Sequence, residues 1–125
     1  MTPINYIIIA LKLIVAFSIL NVWLIQPKKN TKWRGGDAKT IKEEFKVYGL
    51  SETVCYVIGF LKVSLALILL ASLKFENLTL TGSVGLSLLL LGSIAMHFKI
   101  KDPLFKSFPA LLFIILNVII ILLSR

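Results

Sequence analysis

Residues 53–73 read TVCYVIGFLKVSLALILLASL, and this run decides the fold. It carries a single charge, Lys62, in 21 positions. At about 1.5 Å rise per residue, a helix of that length spans the ~30 Å hydrocarbon core of a bilayer. Lipid offers no partner to an open backbone, so the run must be helical, and it is too long and too evenly apolar for a barrel strand. Working outward, residues 4–25, 78–98 and 104–124 form three more such runs. Across the whole chain of 125 residues, 58% are hydrophobic, only 16% are charged, and the mean hydropathy is +0.92. Soluble chains sit near half apolar and a quarter charged. The predicted fold class is an all-α membrane protein. One membrane domain over residues 1–125 forms a four-transmembrane-helix bundle, with an interfacial amphipathic helix in the first loop.

The connections agree with these bounds. Pro27 stops the first span, Gly49 ends a short helix, and Ser51 stands where the second span needs an N-cap. Residues 74–77 are so short a turn that spans two and three must be antiparallel neighbours. Asp102 and Pro103 break the chain before span four, with the proline expected at its first helical position. Neither a basic segment before residues 4–25 nor a small-residue cleavage site after them is present, so that run is read as a retained helix.

Basic residues set the orientation. Lys28, Lys29, Lys32, Arg34, Lys39, Lys42 and Lys46 lie in loop one, and Lys99, Lys101 and Lys106 lie around loop three. The other side has Lys74 and Arg125. The positive-inside rule then places both termini outside the cytoplasm. The net charge of +8 is explained by topology and lipid headgroups, not by nucleic acid, for which no binding fold is present.

Loop one has a pattern of its own. From residue 37 to 48, Ala38, Ile41, Phe45 and Tyr48 fall on one helical face, with Lys39, Lys42, Glu43 and Lys46 elsewhere. Asp37 is the expected N-cap. Such a helix lies in the membrane interface or packs on the bundle as a lid. Just before it, Trp33-Arg34-Gly35-Gly36 sets an arginine and two glycines at the expected helix start, which would favour an anion.

Chemistry-bearing residues are few. Cys55 is the single cysteine, which excludes an intramolecular disulfide and a CxxC pair, and it reads as a small buried residue. His97 is the single histidine, which excludes bis-histidine haem ligation within one chain. No span carries an acidic residue in its middle. An isolated enzyme is not expected.

Polar groups inside the spans are therefore conspicuous. Lys12 and Lys62 are expected to approach the midplane from neighbouring helices. A central lysine costs roughly 2.5–3.5 kcal/mol on insertion scales and is usually functional or paired. Cys55, Gly59 and Ala66 share the face of Lys62, which marks it as a helix-packing face. Candidate neutral partners for the two lysines are Asn5, Ser18, Asn117 and Ser64. Without carboxylates, the lysines are neutral amines, a site for an anionic or carbonyl-bearing ligand, or side chains that snorkel to the interface, which is easier for Lys12 than for Lys62. Span three holds Gly82, Ser83, Gly85, Ser87, Gly92 and Ser93, so it is expected to be the most buried. At the loop rim, Asp102 can orient His97 or pair with Lys99 or Arg34. A histidine so placed can pass protons to a quinone headgroup, or close the bundle as a structural knot, which is the preferred reading.

These motifs together carry a resemblance. Trp33 to Gly36, Glu43-Glu44-Phe45, Tyr48-Gly49-Leu50, Gly59-Phe60-Leu61-Lys62, Met96-His97-Phe98-Lys99 and Asp102-Pro103 resemble the DoxX-like membrane proteins over roughly residues 5–120. The resemblance implies a four-helix bundle. The family takes its name from a subunit associated with thiosulfate:quinone oxidoreduction, so quinone is the cofactor and a redox subunit the partner that it suggests. Two functions are then expected in turn. The first is a non-catalytic membrane component binding a lipid-like or quinone-like molecule in the bundle. The alternative is a homo-oligomeric transporter or channel for an anionic solute. The candidate ligand-binding residues are Lys62, Lys12, Asn117, His97, Arg34 and Asp102.

Overall fold

The computed structural model describes residues 2–124, so Arg125, counted above with the sparsely charged side, lies outside the described residues. Helix α1 (Pro3–Leu20) starts at Thr2, whose Oγ1 accepts from the Asn5 amide at 3.3 Å, with Pro3 pre-set for the first turn. It continues as a π-helical turn, Asn21–Ile25. Helix α2 (Ile41–Val47) crosses the long loop, and α3 (Glu52–Ala71) follows with Ser51 Oγ capping Val54 N at 3.2 Å, as expected. A 3-10 turn at Glu76–Leu78 leads into α4 (Thr79–Lys99). A second 3-10 turn, Leu104–Ser107, leads into α5 (Phe108–Leu123). Pro103 therefore stands one residue before the helical turn and Pro109 within the first turn of α5, a shift from the expected position of the proline.

Four segments are long and apolar enough to cross a membrane: Pro3–Ile25, Glu52–Ala71, Glu76–Lys99 and Leu104–Leu123. They form an up-down-up-down bundle in which α1 and α4 each pack on both α3 and α5. This is an all-α membrane bundle. Large apolar side chains such as Phe17, Phe60, Leu88 and Leu122 stay more than half exposed on its outside, where lipid rather than water suits them.

Lipid tails are as apolar as leucine, so burial alone does not hold such helices together; close packing does. The core joins Val15, Ala16 and Ile19 of α1 to Ala66 and Leu69 of α3, Leu86 and Leu90 of α4, and Ala110 and Ile120 of α5. A Cβ on Gly82 would stand 3.2 Å from the Leu69 backbone, so the missing side chain brings α3 and α4 together there. At Gly85 it would meet Leu65 at 2.7 Å, whereas at Gly92 it would meet nothing within 4 Å among the described residues. The two helices are thus tight at one end and open at the other. Helices α3 and α4 are buried to the same extent and more than the other two spans, so α4 shares with α3 the place expected of it as the most buried helix. Its small residues serve one seam and leave a gap at Gly92.

The loop helix is shorter than the 37–48 expected, and Asp37 is not its cap. Thr40 is, its Oγ1 accepting from Glu43 N at 3.1 Å while the Glu43 carboxylate takes Lys39 N at 2.7 Å. Thr40-Ile41-Lys42-Glu43 is a capping-box sequence, and it outcompetes the aspartate three residues upstream. At the other end Gly49 N donates to Lys46 O and Leu50 N to Phe45 O, both at 2.9 Å, with Gly49 at φ +83°. These two bonds are the Schellman pair. Ile41 and Phe45 pack with Cys55, Trp23, Leu50 and Val54, which fastens α2 to α1 and α3.

Candidate functional site

Lysine side chains on a helix lean toward its N-terminus. Because α1 and α3 run antiparallel, Lys12 and Lys62 lean to opposite ends of the bundle. Lys12 Nζ donates to Ser72 O at 3.2 Å and to Thr79 Oγ1 at 2.9 Å, tying α1 to the α3–α4 turn. The two lysines therefore do not meet, and the partners expected for them, Asn5, Ser18, Asn117 and Ser64, are not the ones found. Asn117 is fully buried in α5 and donates from Nδ2 to Phe113 O at 2.9 Å. Its Oδ1 has no partner among the described residues.

Lys62 lies in the open end of the α3–α4 fork and is only 8% exposed. Its Nζ donates to Ser93 Oγ at 3.2 Å and stands 5.5 Å from the centre of the Trp23 ring. A cation over an indole face is attracted by the ring quadrupole. Trp23 reaches this place because Gly59 has no side chain; a Cβ there would fall 2.7 Å from the indole.

At the rim, Asp102 gathers the loop. Its carboxylate accepts from His97 Nδ1 at 2.7 Å and from Gly36 N at 3.1 Å, and Lys106 Nζ lies 3.8 Å away. A carboxylate only accepts, so Nδ1 carries the proton and Nε2 can take the Tyr48 hydroxyl at 3.4 Å. Burial first, and then the Glu44 and Asp102 carboxylates, push the Tyr48 phenol above its ordinary pKa, so it remains a donor. Lys99 Nζ donates to Tyr48 O at 2.8 Å and Lys106 Nζ to Gly36 O at 2.7 Å. Of the partners expected for Asp102, His97 is the one found; Lys99 and Arg34 turn elsewhere.

The glycine pair has a different use from the one its sequence suggests. Since α2 begins at Ile41, Gly35 and Gly36 are not at a helix start. Gly35 N donates to Glu44 Oε2 at 2.7 Å and Gly36 N to Asp102, so the protein's own carboxylates fill both amides. Arg34 turns inward instead, 7% exposed, with Nη2 donating to Gln26 O at 3.0 Å and Lys29 O at 3.2 Å. Burial pulls its guanidinium below the ordinary arginine value, opposed by Glu44 and Tyr48.

These groups border one space. A cavity of about 440 Å³ lies under the loop, lined by the polar Arg34, Tyr48, Lys62, Ser93 and His97 and by the apolar Ile19, Leu90 and Phe113. A second lobe of about 270 Å³ shares Trp23, Arg34, Glu44, Tyr48, Lys62 and Ser93 and runs out past Gly92 and Leu88. Ligand pockets of small molecules are of this size. Lys62, His97 and Arg34 thus come together; Asp102 stands behind His97, and Lys12 and Asn117 lie apart. Trp23, Glu44, Ser93 and Lys106 were not anticipated. Ser93 had a signal, since it lies one turn before His97 on the same face of span three. Among the described residues no group of three histidine, cysteine or acidic side chains converges to hold a metal.

The fold and site define a small membrane bundle with a polar cavity near one end. The sequence profile of the DoxX-like family matches residues 33–119, and the chain belongs to that family. No curated protein and no solved structure matches it.

Proposed function

We propose that this chain is a non-catalytic membrane component that binds a lipid-like or quinone-like amphiphile between its helices, as a subunit of a membrane redox complex. One observation carries the reading: the cavity holds a cluster of polar side chains among apolar ones, and its second lobe borders the α3–α4 gap at Gly92. A headgroup with a tail in lipid fits that shape. The anion transporter reading asks for a polar path from end to end. Between Lys12 and Lys62 lies instead a layer of Val15, Ala16, Ala66, Leu69 and Leu86, all at 0% exposure, which supports binding over transport.

Val22 borders both lobes, so Val22→Trp puts an indole where they join and narrows both without removing a polar group. Parent protein purified in mild detergent should carry an amphiphile, identified by mass spectrometry, and a redox partner should co-purify. The variant should lose the amphiphile by about tenfold or more, roughly 1.4 kcal/mol of binding, with an unchanged melting temperature. Equal occupancy in the two would overturn the proposal.

We also infer that both termini lie outside the cytoplasm, since ten basic residues stand on the side of loops one and three. A reporter fused after Arg125 should read as non-cytoplasmic; a cytoplasmic signal, with loop one protected, would reverse the orientation.

A further inference from the structure

We propose that the ligand is an acidic amphiphile, whose carboxylate or phosphate-monoester head is held between Lys62 and Arg34 and whose tail passes out beside Gly92. This rests on the cavity-binding reading above and adds the charge of the head.

The charge around the space is one-sided. Lys32, Arg34, Lys62 and Lys106 border the main lobe against one carboxylate, Glu44. Glu44 is already engaged by the Gly35 amide at 2.7 Å. Lys106 is spent on Gly36 O and Asp102, and Lys32 stands 4.7 Å over the Trp33 ring. Lys62 and Arg34 are different. An ammonium has three donors, and among the described residues Lys62 finds one acceptor, Ser93 Oγ. A guanidinium has five, and among the described residues Arg34 donates only from Nη2, to Gln26 O and Lys29 O, which leaves Nη1 without an acceptor.

A buried donor left unmade costs more than an ordinary hydrogen bond returns, and more still when it is charged. Both side chains are over nine-tenths buried and border both lobes. An oxyanion placed between them takes hydrogens from Lys62 Nζ and Arg34 Nη1 and offsets the cationic charge that Glu44 leaves unbalanced. A quinone carbonyl would take the hydrogens and leave the charge. Arginine suits the planar, two-oxygen face of a carboxylate or phosphate, and lysine supplies a point charge. The second lobe then gives the tail its route. Its wall includes Ile58, Leu88, Leu89 and Met96, and it reaches lipid where Gly92 has no side chain to close it.

Trp23 and Trp33 are the two tryptophans and both border the main lobe, so quenching by a brominated chain reports occupancy. Delipidated protein in zwitterionic nanodiscs is titrated with brominated dodecanoate, dodecyl phosphate and dodecanol, and in competition with inorganic phosphate. The acids are expected to bind about tenfold or more tighter than the alcohol, and free phosphate not to compete at equal concentration. Preference for dodecanoate assigns a carboxylate head, and preference for dodecyl phosphate a phosphate head. Lys62→Met should bring the acids down to the level of the alcohol, and an unchanged melting temperature in detergent should show that the variant is folded. Acid binding kept at the parent level by the folded variant overturns the role of Lys62. Equal binding of acid and alcohol by the parent overturns the acidic head while the cavity reading stands. Saturable binding of none of the three overturns both. Competition by free phosphate as strong as by dodecyl phosphate overturns the amphiphile.

Discussion

Asp102→Ala should lower the melting temperature in detergent by on the order of 10 °C, more than any other single polar substitution at the rim. The Asp102 side chain is 6% exposed and accepts from His97 Nδ1 and from Gly36 N, with Lys106 at 3.8 Å. Truncation strands a half-buried backbone amide, a buried imidazole N–H and the partner of a nearly buried lysine. Breaking a buried charged pair from one side costs roughly 3–5 kcal/mol, because the other side stays buried. In a chain of this length each kcal/mol moves the midpoint by a few degrees. Asp102→Asn keeps an acceptor for Gly36 N and His97 and loses the charge opposite Lys106, so its loss should be less than half as large. A drop below about 2 °C for Asp102→Ala would show that water reaches these donors and that the rim is not a buried knot. The same network keeps Nε2 of His97 directed at Tyr48 and hence toward the cavity.

The parts of this molecule that were legible in its sequence are those fixed by one solvent. A bilayer forces about 20 apolar residues per crossing, so the four spans stood out, and a four-residue turn left α3 and α4 no choice but to be neighbours. Local backbone chemistry was partly legible: Ser51 and Gly49 cap as expected, because each acts within a few residues. Thr40 displaced Asp37 through a capping box that was present in the sequence as Thr40-Ile41-Lys42-Glu43. The Cα positions alone put both lysines near the midplane, and for Lys12 the charge lies elsewhere, at the α3–α4 turn. A side chain of that length, leaning toward its helix N-terminus, moves its charge by more than a turn, and antiparallel helices send such charges apart. The glycine pair failed for a different reason. What fills Gly36 N is an aspartate 66 residues away, and no local pattern announces such a partner. The family resemblance covered the fold, and the polar lining of the cavity emerged only from packing.

Phe45→Asp should destabilise the protein far more than Lys42→Asp, although the two sites are three residues apart on one short helix. A helix of seven residues has little stability of its own, so α2 holds its place through what it packs against. Phe45 is 8% exposed, lies edge-on to Trp23 with ring centres 6.0 Å apart, and stands 5.9 Å from the Tyr48 ring. An aspartate there either carries an unpaired charge into that cluster or expels the helix, and burial of the charge costs several kcal/mol. Expulsion is the cheaper course. Lys42 instead reaches Glu52 at 3.0 Å with both side chains over half exposed, and such a pair contributes about 0–1 kcal/mol. Melting in detergent should therefore fall by roughly 10 °C or more for Phe45→Asp and by about 2 °C or less for Lys42→Asp. Limited proteolysis should cut the first variant between residues 36 and 50 and spare the second. Because α2 carries Glu44 and Tyr48 to the cavity, Phe45→Asp should also release whatever amphiphile the parent holds. Equal melting and equal cleavage of the two variants would mean that the segment is a solvated tether, and that the cavity has no roof.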